Sequence, residues 1–171
     1  MPYTPRHLIN TLARGKSLPQ GEPEELLFQA LESFQSMDVD RACSIGANVR
    51  RMDRQGRTAF HVLLDAWGRR PGHPERLLSC ALALHRMGVD FRAQHPQSKL
   101  SVAERSLILL QHPTTARRWF HAVERRLDWN SVTSTGQPLW KAAADRADEP
   151  IRALLEQRFS VPTPVSRRPR P

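Results

Sequence analysis

The feature that most constrains this chain is a helical apolar periodicity that recurs between glycine and proline breaks. Strand-type alternation of β-branched and polar residues never lasts the roughly 4–8 residues that a strand requires. The pattern therefore predicts an all-α fold. A chain of 171 residues is long enough to bury a hydrophobic core without the help of a disulfide or a metal ion.

The periodicity and its end signals predict eight helices arranged in four pairs. These helices cover residues 24–31, 39–45, 58–67, 74–87, 101–111, about 114–127, a stretch from 138 and a stretch from 149. Gly46 and Gly88 follow the second helices of their pairs, where a left-handed residue commonly ends a helix. Ser101 and Glu104 have the spacing of a capping box. Thr58 is expected to cap the third helix, and Thr114 or Thr115 the sixth.

The net charge of +9 is concentrated at the two ends of the chain. Residues 1–21 and residues 160–171 each carry three basic and no acidic side chains, which leaves +3 for residues 22–159. Of the 26 basic residues, 23 are arginine, a bias that suits bidentate contacts to carboxylate or phosphate but that a GC-rich genome also produces. The proline-rich segment 160–171 is predicted to be disordered, and segment 1–21 to be flexible or to form one short helix.

Catalytic and metal-binding signatures are not found in the sequence. Cys43 and Cys80 have no partner cysteine or histidine at zinc-ligand spacing, and the seven histidines are scattered. No phosphate-binding loop, dinucleotide fingerprint, H-E-x-x-H or G-x-S-x-G is present. We therefore expect a protein that is not an enzyme and that uses no metal or other cofactor.

Segments of similar sequence follow the second helices of three pairs. They are Gly46-Ala47-Asn48-Val49, Gly88-Val89-Asp90-Phe91 and Arg126-Leu127-Asp128-Trp129, at offsets of 42 and 38 residues. Downstream of the first lies Gly56-Arg57-Thr58-Ala59-Phe60-His61, which resembles the helix-opening G-x-T-P-L-H signature of ankyrin repeats. Gln137-Pro138-Leu139 resembles the same signature, whereas Leu100-Ser101-Val102-Ala103 has lost almost all of its consensus residues.

The resemblance implies an ankyrin-like α-solenoid of stacked helix pairs with short inter-repeat loops over residues 22–159. Gly56, Thr58, His61, Pro138 and Leu139 would be structural motif residues, and His61 would form local hydrogen bonds rather than take part in catalysis. The positions that face partners in the family correspond to Arg54, Gln55, Arg57, Asp65, Ser134 and Thr135, and Arg50 and Arg51 extend the same loop.

Two functions follow from these features. The first is a module that binds a partner protein with an acidic surface, in the role of an adaptor, a bacterial effector or an immunity protein. The alternative is a nucleic-acid-associated protein that uses its arginine-rich ends to neutralise phosphates. The sequence contains no basic helical stripe and no stacking platform of aromatic residues, which makes the alternative the weaker one.

The sequence also bears on where the protein acts. No apolar run is long enough for a membrane span, and no signal-peptide stretch occurs near Met1. We expect a cytoplasmic protein or, alternatively, one delivered into a host cell by a non-classical secretion route.

Overall fold

The structure is a computed structural model that describes residues 22–159. This part of the chain forms eight α-helices and one 3₁₀ helix, with no β-strand, which confirms the all-α prediction. The helices are α1 (Pro23–Glu32), α2 (Ser36–Ser44), α3 (Ala59–Arg69), α4 (Pro74–Arg86), α5 (Val102–Ser106), the 3₁₀ helix (Leu107–Leu110), α6 (Pro113–Val123), α7 (Leu139–Ala144) and α8 (Glu149–Phe159). The predicted segments 1–21 and 160–171 lie outside the described residues.

The chain divides into two compact units, with the boundary between Asp90 and Phe91. In the first unit, α1 packs against α2 and α3 against α4, so that two helical hairpins form. The hairpins also pack on each other, α1 against α3 and α2 against α4. Leu31, Phe60, Leu63 and Leu77 are fully buried in this unit. Burial of such side chains stabilises the fold by about 1.5–3 kcal/mol each.

The second unit repeats the hairpin arrangement with a shorter first helix. The 3₁₀ helix packs against α6, α7 packs against α8, and further contacts join α7 to the 3₁₀ helix and α6 to α8. Trp119, Leu109 and Leu139 are buried in its core. Of the predicted helix 101–111, only Val102–Ser106 is α-helical, because Ser101 is the N-cap and the backbone tightens to 3₁₀ geometry from Leu107.

Two glycines end their helices as the sequence predicted. Gly46 and Gly88 have φ angles of 109° and 83°, a region in which a side chain would be strained. Around them the N–H of Ala47 donates to the carbonyl of Ala42 over 3.0 Å, and the N–H of Val89 to that of Leu84 over 3.4 Å. This is the six-to-one hydrogen bond of a Schellman helix end.

The predicted threonine caps are wrong, whereas the capping box is confirmed. The Thr58 hydroxyl makes no capping bond and lies 3.2 Å from Nδ1 of His61. Helix α6 begins at Pro113, and the hydroxyl of Thr115 instead donates to the carbonyl of Leu109 over 2.9 Å. In both cases burial of the hydroxyl favours a partner inside the fold over the helix end. At Ser101 both bonds of the capping box form.

Candidate functional site

Three loops share a hairpin-like turn that leads into a helix. Isolated antiparallel bridges close them at Met52 and Thr58, at Gln94 and Ser101, and at Val132 and Pro138. The turns of the first and third loops contain Gly56 and Gly136, with φ angles of 75° and 81°, and the second contains Lys99 at 59°. The second loop thus keeps the turn although its sequence keeps almost none of the repeat consensus.

The carboxylate of Asp53 organises the turn of the first loop. Its Oδ1 accepts hydrogen bonds from the N–H groups of Gln55, at 2.9 Å, and Arg57, at 2.8 Å. The backbone also closes the turn, since the N–H of Asp53 donates to the carbonyl of Arg57 over 2.9 Å. Arg54 and Gln55 lie at the tip and are exposed to solvent.

The guanidinium of Arg57 joins this loop to helix α3. Its Nε and Nη2 lie 2.8 and 2.7 Å from Oδ2 of Asp53, and its Nη1 lies 2.9 Å from Oδ2 of Asp65. Burial disfavours the charged forms of both Asp53 and Arg57, but the hydrogen bonds between them favour the charged forms more strongly. The pKa of Asp53 therefore lies below its ordinary value and the pKa of Arg57 above its ordinary value. The side chain of Arg57 is only 12% exposed. Arg57 and Asp65 therefore make their charged contacts with each other and with Asp53, inside the protein.

An open groove of about 540 Å³ lies between the first loop, bridged at Met52 and Thr58, and helix α1. The groove is lined from the loop by Arg51, Met52, Asp53, Arg54, Gln55 and Arg57. Met52 is 56% exposed, and Asp53 is paired with Arg57. From α1 and the residue before it, the lining side chains are Glu22, Glu24, Glu25, Phe28, Gln29 and Glu32. The groove therefore has an arginine-bearing wall, an acidic wall and apolar side chains between them.

Ion pairs leave the charges of the groove unequally available. Arg51 lies 3.3 Å from Glu24, and Glu32 lies 3.4 Å from Arg69. Arg54 on one wall and Glu25 on the other are exposed, and neither forms an ion pair with another side chain among residues 22–159. Together with Glu22, which is exposed on the acidic wall, these two side chains are charges of the groove that a ligand meets without displacing an ion-pair partner.

Two other predicted residues of the first unit have different surroundings. Arg50 is exposed, and its Nε donates to the carbonyl of Gly88 over 3.0 Å, which ties the loop to the end of α4. Asp65 stands on α3 and faces Arg57 rather than the groove. The structure thus brings four of the predicted residues to the groove, Arg51, Arg54, Gln55 and Arg57.

Ser134 and Thr135 belong to the third loop, in the second unit. Both are exposed, and the hydroxyl of Thr135 lies 2.9 Å from that of Thr133. The N–H of Ser134 donates to Oε1 of Glu104 over 2.6 Å, while Oε2 of Glu104 accepts bonds from the N–H and hydroxyl of Ser101, both at 2.9 Å. Burial raises the pKa of Glu104, but these hydrogen bonds outweigh it and hold the pKa below its ordinary value.

The acidic wall of the groove and the second role of Glu104 were missed in the sequence. Residues 22–32 contain four glutamates, of which the adjacent pair Glu24 and Glu25 indicates only the start of a helix. The capping box indicated one side of the Glu104 carboxylate, but the contact with Ser134 joins residues 30 positions apart. No local pattern encodes a contact of that separation.

The remaining chemical groups of the described residues offer little reactivity. Burial raises the pKa of the Cys43 thiol to about 11 and that of Cys80 to about 12, so both are protonated at neutral pH. Within residues 22–159, no three histidine, cysteine or acidic side chains are grouped so as to hold a metal ion. None of the helices in this range is both long and apolar enough to cross a bilayer.

Comparison of the sequence with protein-family models and with curated proteins finds no match.

Proposed function

We propose that this chain is an ankyrin-like repeat protein that binds a partner protein and catalyses no reaction. The proposal includes the finer fold assignment of an ankyrin-like α-solenoid. It is supported by the three loops that share a bridge and a left-handed turn before a helix. It is also supported by the two-hairpin packing within each unit, since a single hairpin cannot bury its own apolar face.

The observation that carries the binding function is the exposed turn tip, Arg54 and Gln55, on the wall of the groove in the first unit. The turn is held rigidly by Asp53 and Arg57, so that ordering the tip on binding costs little conformational entropy. Met52 supplies an exposed apolar contact next to it, and apolar contacts flanked by charges are typical of protein interfaces.

The charges of the groove specify the partner more closely. Arg54 favours an acidic side chain of the partner, in bidentate contact with its guanidinium. Glu25, on the opposite wall, favours a basic one. We therefore propose a partner segment of mixed charge, acidic where it meets the loop, and place the contact on Arg54, Gln55, Met52 and Glu25, with Arg50 and Arg51 at the margin.

Affinity capture with the full chain as bait, followed by reconstitution with the purified candidate partner, tests this function. We expect Arg54→Glu to weaken binding at least tenfold in calorimetry, because it introduces repulsion towards an acidic residue. The matched control is Arg70→Glu, an equal charge change at another exposed arginine of the same unit. An unchanged affinity for Arg54→Glu, or an equal loss for both variants, contradicts the proposed site.

A further inference from the structure

Basic residues are distributed unequally between the two units. Residues 22–90 carry nine basic and ten acidic side chains, whereas residues 91–159 carry eleven and seven. The mild positive charge of the described chain therefore belongs to the second unit alone. This asymmetry is independent of the groove proposed above, which lies in the first unit.

Much of this charge lies on one side of helix α6. Arg117, Arg118 and Arg125 are exposed, and helical spacing places them within an arc of about 100°. Helix α6 ends at Val123, and Arg125 lies in the turn that follows, where the N–H of Glu124 donates to the carbonyl of Phe120 and that of Arg126 to the carbonyl of Val123, both over 2.8 Å. Along the helix, Arg117 and Arg125 are about 12 Å apart.

A second helix adds to this surface. Glu124 borders the three arginines, and its Oε2 lies 3.5 Å from Nη1 of Arg158 on α8. The only carboxylate of α6 and its terminal turn is thus paired with another helix, and Arg158 remains 57% exposed. We call Arg117, Arg118, Arg125 and Arg158 the arginine face.

The α6 part of the arginine face has no exposed apolar anchor of the kind that a protein interface needs. The exposed large hydrophobic residues among residues 22–159 are Met37, Met52, Met87, Val132 and Leu154; none lies on α6, and Leu154 lies on α8, one turn before Arg158. Binding energy at protein interfaces is concentrated in such anchors. A polyanion recognised by charge alone needs none.

The exposure of aromatic side chains indicates whether a surface suits single-stranded or duplex nucleic acid. Single strands are bound by stacking bases on exposed aromatic rings. In α6 and the segment after it, Trp119, Phe120 and Trp129 are all buried. On α8, the half-buried ring of Phe159 is engaged by the rings of Trp129 and Trp140. A duplex, which carries a negative charge about every 1.7 Å of its axis and keeps its bases stacked internally, requires no such platform.

We propose that the arginine face binds the phosphate backbone of a nucleic-acid duplex without reading its sequence. The acid-free ends of the chain, with three basic residues each, add to the attraction but do not define the site. The nucleic-acid contact thus lies on a helix that the sequence had not indicated as a basic stripe.

Fluorescence anisotropy of the full chain with a labelled DNA duplex of about 20 base pairs tests the proposal at salt concentrations between about 50 and 200 mM. We expect Arg117→Gln/Arg125→Gln to weaken binding roughly tenfold or more at the lower salt concentration and to reduce the slope of log K against log salt by about 2. Arg70→Gln/Arg76→Gln, at two exposed arginines of the first unit, removes the same charge and should change the affinity less than about threefold. Circular dichroism shows whether each variant is folded.

Three outcomes overturn this assignment. The first is an equal loss in both double variants, which shows that only the total charge matters. The second is full binding by Arg117→Gln/Arg125→Gln with loss on deletion of residues 160–171, which moves the contact to the end of the chain. The third is a poly-glutamate peptide that competes as well as the duplex per unit charge, which makes the occupant an acidic polypeptide. The capture experiment with Arg54→Glu is unaffected by any of them.

Discussion

Glu104 Oε1 accepts a hydrogen bond of 2.6 Å from the N–H of Ser134. The same carboxylate closes the capping box at Ser101. One side chain therefore stabilises the start of α5 and the turn that precedes α7. Its hydrogen bonds are charge-assisted, which makes them stronger than bonds between neutral groups.

Replacement of Glu104 by glutamine is expected to lower the free energy of unfolding by about 1–2 kcal/mol at pH 7, because the amide keeps the shape but loses the charge. The pKa of Glu104 is lower in the folded protein, so this stabilisation is present above the ordinary value of 4.5 and disappears as pH falls through the folded pKa. Urea unfolding at pH 7 and pH 3 measures it. A difference from wild type that grows at pH 3 contradicts the role.

Replacement of Arg57 by alanine should destabilise the protein by about 1–3 kcal/mol, because Asp53 and Asp65 lose their shared, largely buried partner. Arg57→Lys should recover only part of this, since an ammonium cannot reproduce the forked contacts. The control is Arg54→Ala at the exposed tip of the same loop, expected to stay within about 0.5 kcal/mol of wild type. Chemical denaturation of the three variants makes the comparison, and equal effects of Arg57→Ala and Arg54→Ala would show that the buried network contributes nothing.

Two glycine-to-alanine changes should have opposite effects. Gly136 has a φ of 81° and open space around its Cβ position, so Gly136→Ala incurs only backbone strain, about 1 kcal/mol. Gly68 lies in the last turn of α3, and a Cβ atom added to it would meet no atom outside the helix backbone within 4 Å. Gly68→Ala should therefore stabilise the protein by about 0.5–1 kcal/mol. Thermal unfolding followed by circular dichroism shows whether each substitution raises or lowers the melting temperature. A lowered melting temperature for Gly68→Ala contradicts this explanation.

The two thiols are expected to react slowly in the native protein. Because the pKa of Cys43 is raised to about 11, its rate with a disulfide reagent should keep rising as pH increases from 8 to about 11. Cys80, with no exposed surface, should react only on unfolding. Labelling of Cys43→Ser and Cys80→Ser separates the two rates. Fast labelling of the native Cys43→Ser variant at pH 8 is incompatible with the burial of Cys80.

Helix existence and many helix ends were predictable because they depend on short stretches of chain. Gly46 and Gly88 end helices through their own backbone freedom, and Ser101 and Glu104 meet across a single turn. The predicted caps at Thr58 and Thr115 failed where burial offered the hydroxyl another partner. The groove was predictable only in part, since its loop wall contains predicted residues and its α1 wall does not.

What the sequence by itself determined is the all-α character and many of the places where helices start and stop, because backbone sterics and hydrogen bonds over a few residues decide these features. Only the tertiary structure decided which arginines are available to a ligand. Arg57 and Arg54 are near neighbours of the same residue type, yet Asp65 on a separate helix engages one and leaves the other exposed. Likewise, Glu124, next to the arginines of α6, is engaged by Arg158 of a separate helix, α8. The sequence gives the charge of each side chain. Whether that charge is neutralised depends on which distant residues the packing of the helices brings within a few ångströms.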